Sequence, residues 1–181
     1  MDDGFTEFDT TLRDGRGVHI RAMHPTDEAE MLQAFERMGA DARYMRFMRV
    51  VREPNLERLR KTLASLPEDG IGIVATVPAA DGVDIAGSAI AVIGSNRMSC
   101  EFAITVASDF GGVGLATWLM TALIAAAKQR GLKEMDGFVL SVNRPMLGLA
   151  SRLGFSITTD PEDATIRICR LRLDALDERS T

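Results

Sequence analysis

The chain has 181 residues, 46% of them hydrophobic, with 26 acidic against 21 basic side chains and a formal net charge of -5. That length supports one well-buried domain rather than two of ordinary size. The acidic balance argues against a surface that grips phosphate backbones or anionic lipid, so no nucleic-acid partner and no membrane partner is expected.

The N-terminus, "MDDGFTEFDTTLRDG", is polar and has no apolar stretch of the secretory kind. Residues 1–17 read as a mobile tail and residues 18–181 as a single domain. The longest apolar run, Val113 to Ala127, falls short of the roughly 20 residues that span a bilayer, so a cytoplasmic location is the default expectation. "VHIRAM" is the first strand, and "HPTDEAEMLQAFERM" opens a helix with Thr26 as its N-cap. Further helices are expected through "ARYMRFMRVV" and through "NLERLRKTLASL", the latter capped by Asn55. "IGIVATV", "VDIAGSAIAVIG" and "CEFAITVA" then alternate with turn-forming stretches and predict an antiparallel meander.

A helix from about Gly112 to Arg130 follows, stopped by Gly131. A strand "MDGFVLSV", a helix "RPMLGLASRLG" with Pro145 in its first turn, and a last strand "ATIRICRLRL" complete a mixed α/β sheet. Cys100 and Cys169 stand in strands, outside any CxxC or Cys/His cluster, and read as buried small hydrophobes with no metal site. His19 and His24 have no partner motif and read as structural.

The chemistry concentrates in "EFAITVASDFGGVGLATWLM", where a strand stops at a glycine-rich turn and restarts as an apolar helix. A helix whose first turn contains Gly112 and Gly114 presents unpaired amide N–H groups with no Cβ before them, and the helix dipole adds partial positive charge. Such a place binds phosphate; the plainer alternative is a turn that lets the helix pack close to the sheet. A dinucleotide fingerprint G-x-G-x-x-G fits only in part. Thr117 takes the third glycine, Asp136 precedes the next strand instead of ending it, and the strands before the turn read as antiparallel.

The stretch Gly111-Gly112-Val113-Gly114-Leu115-Ala116 is similar to R/Q-x-x-G-x-G/A, the pyrophosphate signature of the Gcn-type N-acetyltransferase (GNAT) superfamily. "TLRDGRGVHIRAMHPTD", "DARYMRF", "CEFAITVASDFGGVGLATWLM" and "VLSVNRPMLGLASRLGF" each resemble a segment of the acetyltransferase domain of bacterial Pat-type protein lysine acetyltransferases. They cover most of residues 11–155 in that order. The resemblance implies a GNAT fold, a mostly antiparallel central sheet flanked by helices, with acetyl-CoA bound where two strands splay apart. It implies pantetheine pairing with main chain around Ile104, Thr105 and Val106, pyrophosphate held by Gly111, Gly112, Val113, Gly114, Leu115, Ala116 and Thr117, and contacts from Asn143 and Met146. Position 111 departs from the signature: glycine replaces the usual Gln or Arg and removes a polar side chain near the phosphates.

Acetyl transfer to an amine needs a neutral nitrogen, and a free lysine, with a pKa of about 10.4, is almost wholly protonated at neutral pH. Glu101 aligns with the general base of Pat-type enzymes. On its strand it points away from Cys100 and Phe102, alongside Ala103, and is expected to be half-enclosed by apolar neighbours, the environment of a general base. Its plainer reading is a polar residue on a solvated face. Asn143 also reads as the N-cap of the helix after it. Where many relatives place a tyrosine to protonate the thiolate, this chain has Ala150, and no general acid is assigned.

Arg43, Arg46, Arg49 and Arg52 recur every third residue, but at about 100° per residue Arg43 and Arg52 fall on opposite sides of a straight helix. A solvated helix with Phe47 and Met48 toward the core is the expectation, with one or two arginines at the acceptor entrance. The acceptor implied is a protein lysine, on an acyl-CoA synthetase or another protein. A small-molecule amine is the nearest alternative, and a non-catalytic CoA-binding module the alternative of another class.

Overall fold

A computed structural model describes residues 5–174 of the chain. The elements are β1 (Phe8–Thr11), β2 (Gly17–Ala22), a short 3-10 turn (Pro25–Asp27), α1 (Glu28–Arg37), α2 (Ala40–Phe47) and α3 (Leu56–Ser65). They continue with β3 (Gly70–Ala79), β4 (Gly82–Ile93), β5 (Ser99–Val106), α4 (Leu115–Gln129), β6 (Glu134–Leu140), α5 (Arg144–Arg152), β7 (Ser156–Thr159) and β8 (Ile166–Arg172). One eight-stranded sheet runs β1-β2-β3-β4-β5-β6-β8-β7. Every neighbouring pair is antiparallel except β5 and β6.

The meander β3-β4-β5 forms because alternate residues feed two separate cores, the period-2 logic of a strand. Ile73, Ala75, Ala89 and Ala91 join Leu115, Leu119 and Leu123 of α4 on one face. Val74 and Ile85 join Met23 and Leu63, with Met31 and Leu59 packed around them, on the face covered by α1 and α3. Burying α4 is the dominant stabilising event on its side: Leu119, Met120 and Leu123 are fully buried, each contributing about 1.5–3 kcal/mol.

Several expectations are corrected. Residues 8–11, expected within a tail, form β1. Phe8 packs on the Trp118 ring at 5.8 Å, the next residue but three, Leu12, is buried, and the hairpin with β2 fixes both. Residues 1–4 and 175–181, assigned to the tail and to the single domain, lie outside the described residues. Thr26 is not a cap. Asp27 instead accepts the His24 N–H at 2.7 Å and is paired with Arg21, at 2.8 and 2.9 Å. Asn55 does cap its helix, accepting the Arg58 N–H at 2.9 Å.

The helix through "ARYMRFMRVV" stops early. Met48 adopts a left-handed conformation with φ 57° and closes the turn through its N–H to the Tyr44 carbonyl at 2.7 Å. Met48 is therefore exposed, not core, and Arg49 and Arg52 leave the helix. No helix among the described residues is long and apolar enough to cross a membrane.

Candidate active site

β5 and β6 pair at three positions only: Ser99 with Glu134, Cys100 with Met135, and Glu101 with Asp136. Beyond Glu101, β5 runs on against β4 alone, and β6 runs on against β8. The inner edges of the two strands are left with N–H and C=O groups that no strand takes. The next positions in register would be Phe102 and Gly137. A Cβ at Gly137 would collide with the Phe102 ring, which packs edge-on against Phe155 at 5.3 Å. Glycine at 137 thus lets an aromatic ring lie where the ladder would have continued.

A cavity of about 430 Å³ occupies this opening, within the size range of small-molecule sites. Glu101, Ile104, Thr105, Val106, Gly111, Gly112, Gly114, Leu115, Ala116, Thr117, Asn143 and Met146 all line it. Val113 does not. Its side chain packs against the core, and its carbonyl accepts the Arg13 N–H at 3.1 Å. Asn143 caps α5, its Oδ1 accepting the Met146 N–H at 3.3 Å.

The glycine turn leaves open space in front of its backbone amides. Gly112 and Gly114 have φ of +73° and +92°, and a Cβ at Gly112 would meet nothing within 4 Å, so open space lies before the backbone. α4 starts at Leu115 rather than at Gly112, with Gly114 as its N-cap. Its first intrahelical bond is from the Trp118 N–H to the Gly114 carbonyl at 3.2 Å, which leaves the earlier amides of the turn without helical acceptors. Amides at a positive dipole end, with no side chain in front, suit a pyrophosphate.

Gly111 is different: φ is -71°, and an added Cβ would lie 3.4 Å from the Ser108 carbonyl oxygen, an ordinary contact. Nothing in the backbone demands glycine there. The charge that position 111 lacks stands nearby on Arg13. Its guanidinium donates to the Gly112 carbonyl at 3.1 Å, and its Nε lies 3.5 Å from where a Gly114 Cβ would stand. Arg13 lines the cavity.

Glu101 sits at the apex of the opening, exposed rather than half-enclosed as expected. Among the described residues it makes no ion pair, whereas its register partner Asp136 is held by Arg170 at 2.9 Å. Glu101 is therefore the uncommitted carboxylate of the pair. On the same face Arg46 donates from Nε to the Thr105 hydroxyl at 3.0 Å and lines the cavity. Burial and the nearby Arg58 charge push the Arg46 pKa below the ordinary guanidinium value, with Glu101 opposing. That corrects the solvated-helix reading for Arg46.

Arg43 is structural, bonded to the Phe35, Glu36 and Arg52 carbonyls and lying over the Phe35 ring. Tyr44 is exposed and does not line the cavity. Cys100 is buried, and desolvation together with Asp136 pushes its thiol up to about 12, which keeps it neutral. His19 is tied to Asp9 at 2.9 Å, and His24 belongs to the capping turn. Among the described residues no group of three or more His, Cys, Asp or Glu side chains is placed to hold a metal ion.

Arg13 was missed in the sequence, and Arg46 was not singled out from its series as one of the arginines expected at the entrance, because each meets its partner across a long separation, 99 and 59 positions respectively. No local pattern could have signalled either contact.

Residues 18–156 match the domain described as "Acetyltransferase (GNAT) domain". The acetyltransferase PA5475 of Pseudomonas aeruginosa is 31% identical over 163 residues, 90% of this chain and 88% of its own length. The acetyltransferase Pat of Mycolicibacterium smegmatis is 30% identical over 149 residues, 82% of this chain but only 44% of its own length. Among solved structures, the GNAT domain of S. lividans PAT superposes with a TM-score of 0.82 at 20% identity, covering 92% of this chain and 96% of that domain. A strand pair that opens beside a carboxylate, a glycine cradle at the far end of the same strand, and these likenesses lead to one conclusion: the chain belongs to the acetyltransferase (GNAT) family, whose acyl donor is acetyl-CoA.

Proposed function

We propose that this acetyltransferase acetylates a lysine side chain of a protein, with Glu101 as general base. The observation that carries the reading is the position of Glu101. It is a carboxylate without an ion-pair partner among the described residues, at the point where β5 and β6 part and on the strand that leads directly to the glycine turn. Acetyl-CoA fits this opening with its phosphates on the amides of Gly112–Thr117 and beside Arg13, and with its pantetheine along the free edge of β5 near Ile104 and Val106. Its acetyl group then lies toward Glu101.

Glu101 takes a proton from the incoming ammonium, directly or through one water, and the neutral amine attacks the acetyl carbonyl carbon. The new bond is carbon to nitrogen, the broken bond carbon to sulfur, and the products are the amide and CoA. Thr105 and Arg46 border the path of the amine. Ala150 is buried and Tyr44 is outside the cavity, so the extra proton that the attacking nitrogen still carries passes through water to the departing thiolate. A protein lysine is favoured over a small amine by the four Pat-like segments, which include the helix α2 that roofs the Glu101 side.

The test is release of CoA thiol with candidate acceptor proteins, together with intact-mass measurement of those proteins. Glu101→Gln is expected to lower kcat/KM on the order of 10²- to 10⁴-fold while leaving thermal stabilisation by acetyl-CoA unchanged. An E101Q enzyme of undiminished activity would remove the general-base assignment. Transfer to small amines with no protein acetylated would remove the lysine assignment.

A further inference from the structure

We propose that a groove behind α2 receives the acceptor and selects a lysine flanked by acidic residues; this rests on the acetyl-transfer reading above and adds the chemistry of its substrate. The groove, about 510 Å³, lies between α1, α3, β4 and the segment 49–55. It shares Met38, Arg46 and Thr105 with the donor cavity. A chain lying in it would pass Arg46 and deliver a side chain toward Glu101.

Its charge is one-sided. Arg46, Arg49, Arg52 and Arg58 line it against the single acid Glu53, in a chain whose net charge is -5. Elsewhere Arg16, Arg21, Arg37, Arg60, Arg97, Arg170 and Arg172 are each in an ion pair, while Arg13, Arg43, Arg130 and Arg167 donate to backbone carbonyls; what sets the groove apart is four arginines lining one cavity with one acid. Among the described residues, none of the four groove arginines has a carboxylate partner. Burial first and the Arg58 charge second lower the Arg46 pKa, against the opposing pull of Glu101, so the two arginines repel one another. Cations held together without counter-ions cost free energy that an anionic ligand relieves, and a low-dielectric wall focuses the field they make.

The backbone explains how the cluster arises. The left-handed turn at Met48 ends α2, and the chain folds back so that Arg49 and Arg52 face the same groove as Arg46. Arg58 comes from α3, on the far wall. The charges are thus spread over two helices and the segment between them, which matches several carboxylates along an extended peptide better than the one or two of a small amino acid.

The test uses two dye-labelled peptides, one lysine flanked by Asp and Glu and one flanked by Arg and Gln, titrated with the full chain saturated with CoA. Anisotropy is expected to show the acidic peptide binding on the order of tenfold tighter at low salt, with the difference collapsing at about 0.5 M NaCl. The double variant Arg49→Glu/Arg52→Glu should invert the preference while acetyl-CoA still stabilises the protein to the same degree. Equal binding of the two peptides, or a preference that survives the double reversal, overturns the proposal. So does turnover of free glutamate when neither peptide binds. If the acidic peptide binds in this charge-dependent way yet yields no CoA, the groove assignment stands and the lysine-transfer reading is the one that fails.

Discussion

The two sides of the β5/β6 opening are made of different materials. The donor side is main chain: free strand edges, two left-handed glycines, and an apolar helix whose buried leucines fix the position of its N-terminus. The proposed acceptor side is side chain: Glu101, Arg46, Thr105 and a group of arginines carried by α2, α3 and the segment between them. A CoA donor shared between enzymes can be read by a backbone cradle with few side chains to vary. The acceptor differs from enzyme to enzyme, and a surface built from side chains can change without disturbing the fold.

If that contrast holds, the acceptor side should be held in place by electrostatics and the donor side by backbone conformation. The largest effect is expected at the buried pair of Arg21 and Asp27, which ties β2 to the start of α1 at 2.8 Å with little exposure of either side chain. Asp27→Asn leaves Arg21 buried without its counter-charge and should cost about 3 kcal/mol at pH 7, read by urea denaturation. Burial pushes the Asp27 carboxyl up, but the bonds from Arg21 and the His24 amide outweigh it and hold the pKa below the ordinary value. A depressed folded pKa contributes stability above the unfolded value of about 3.9, and that stability is lost as pH falls through the folded value. The gap between wild type and D27N should therefore be full at pH 7 and shrink below about pH 4. A gap independent of pH would show that the charge of Asp27 is not what anchors α1.

On the donor side the comparison can be made within one motif. Gly114, at φ +92°, is strained by any side chain, and Gly114→Ala should cost about 1–2 kcal/mol by the same measurement. Gly111, at φ -71°, has an ordinary backbone, so Gly111→Ala should stay within about 0.5 kcal/mol. Equal costs at the two positions would contradict the division between a required and a permitted glycine.

The same contrast decides what was legible in the sequence. The β3-β4-β5 meander, α4, the glycine turn and the caps at Asn55 and Asn143 could be read because each rests on constraints between near neighbours: period-2 burial, a left-handed turn, an amide needing an acceptor. Glu101 and most of the cavity lining followed from the same local pattern and the family signature. β1 was not readable, since "FDTT" is a strand only because Trp118 and β2 receive it. The arginine cluster failed for a sharper reason. The helical-wheel geometry was sound, but it assumed a helix through Arg52, and a single left-handed methionine at position 48 ended it. Methionine carries no preference for that conformation, so the stop came from tertiary packing and not from the residue.

Arg13 is where the two materials meet, a side chain supplied to the main-chain cradle from the turn between β1 and β2. Its bond to the Gly112 carbonyl could serve only to brace the loop, or its remaining N–H groups could also face the phosphates of acetyl-CoA, replacing the side chain that Gly111 lacks. The two roles separate by ligand. Arg13→Ala should weaken acetyl-CoA binding about tenfold, near the low end for a hydrogen bond to a charged group because the guanidinium is exposed. Binding of acetyl-pantetheine, which has no pyrophosphate, should not change. Gly111→Arg introduced into the Arg13→Ala protein should recover most of the lost affinity, because position 111 has room for a Cβ and faces the same cavity. If both ligands weaken equally and the second substitution recovers nothing, Arg13 only braces the loop, and the cradle holds its anion by amides and dipole alone.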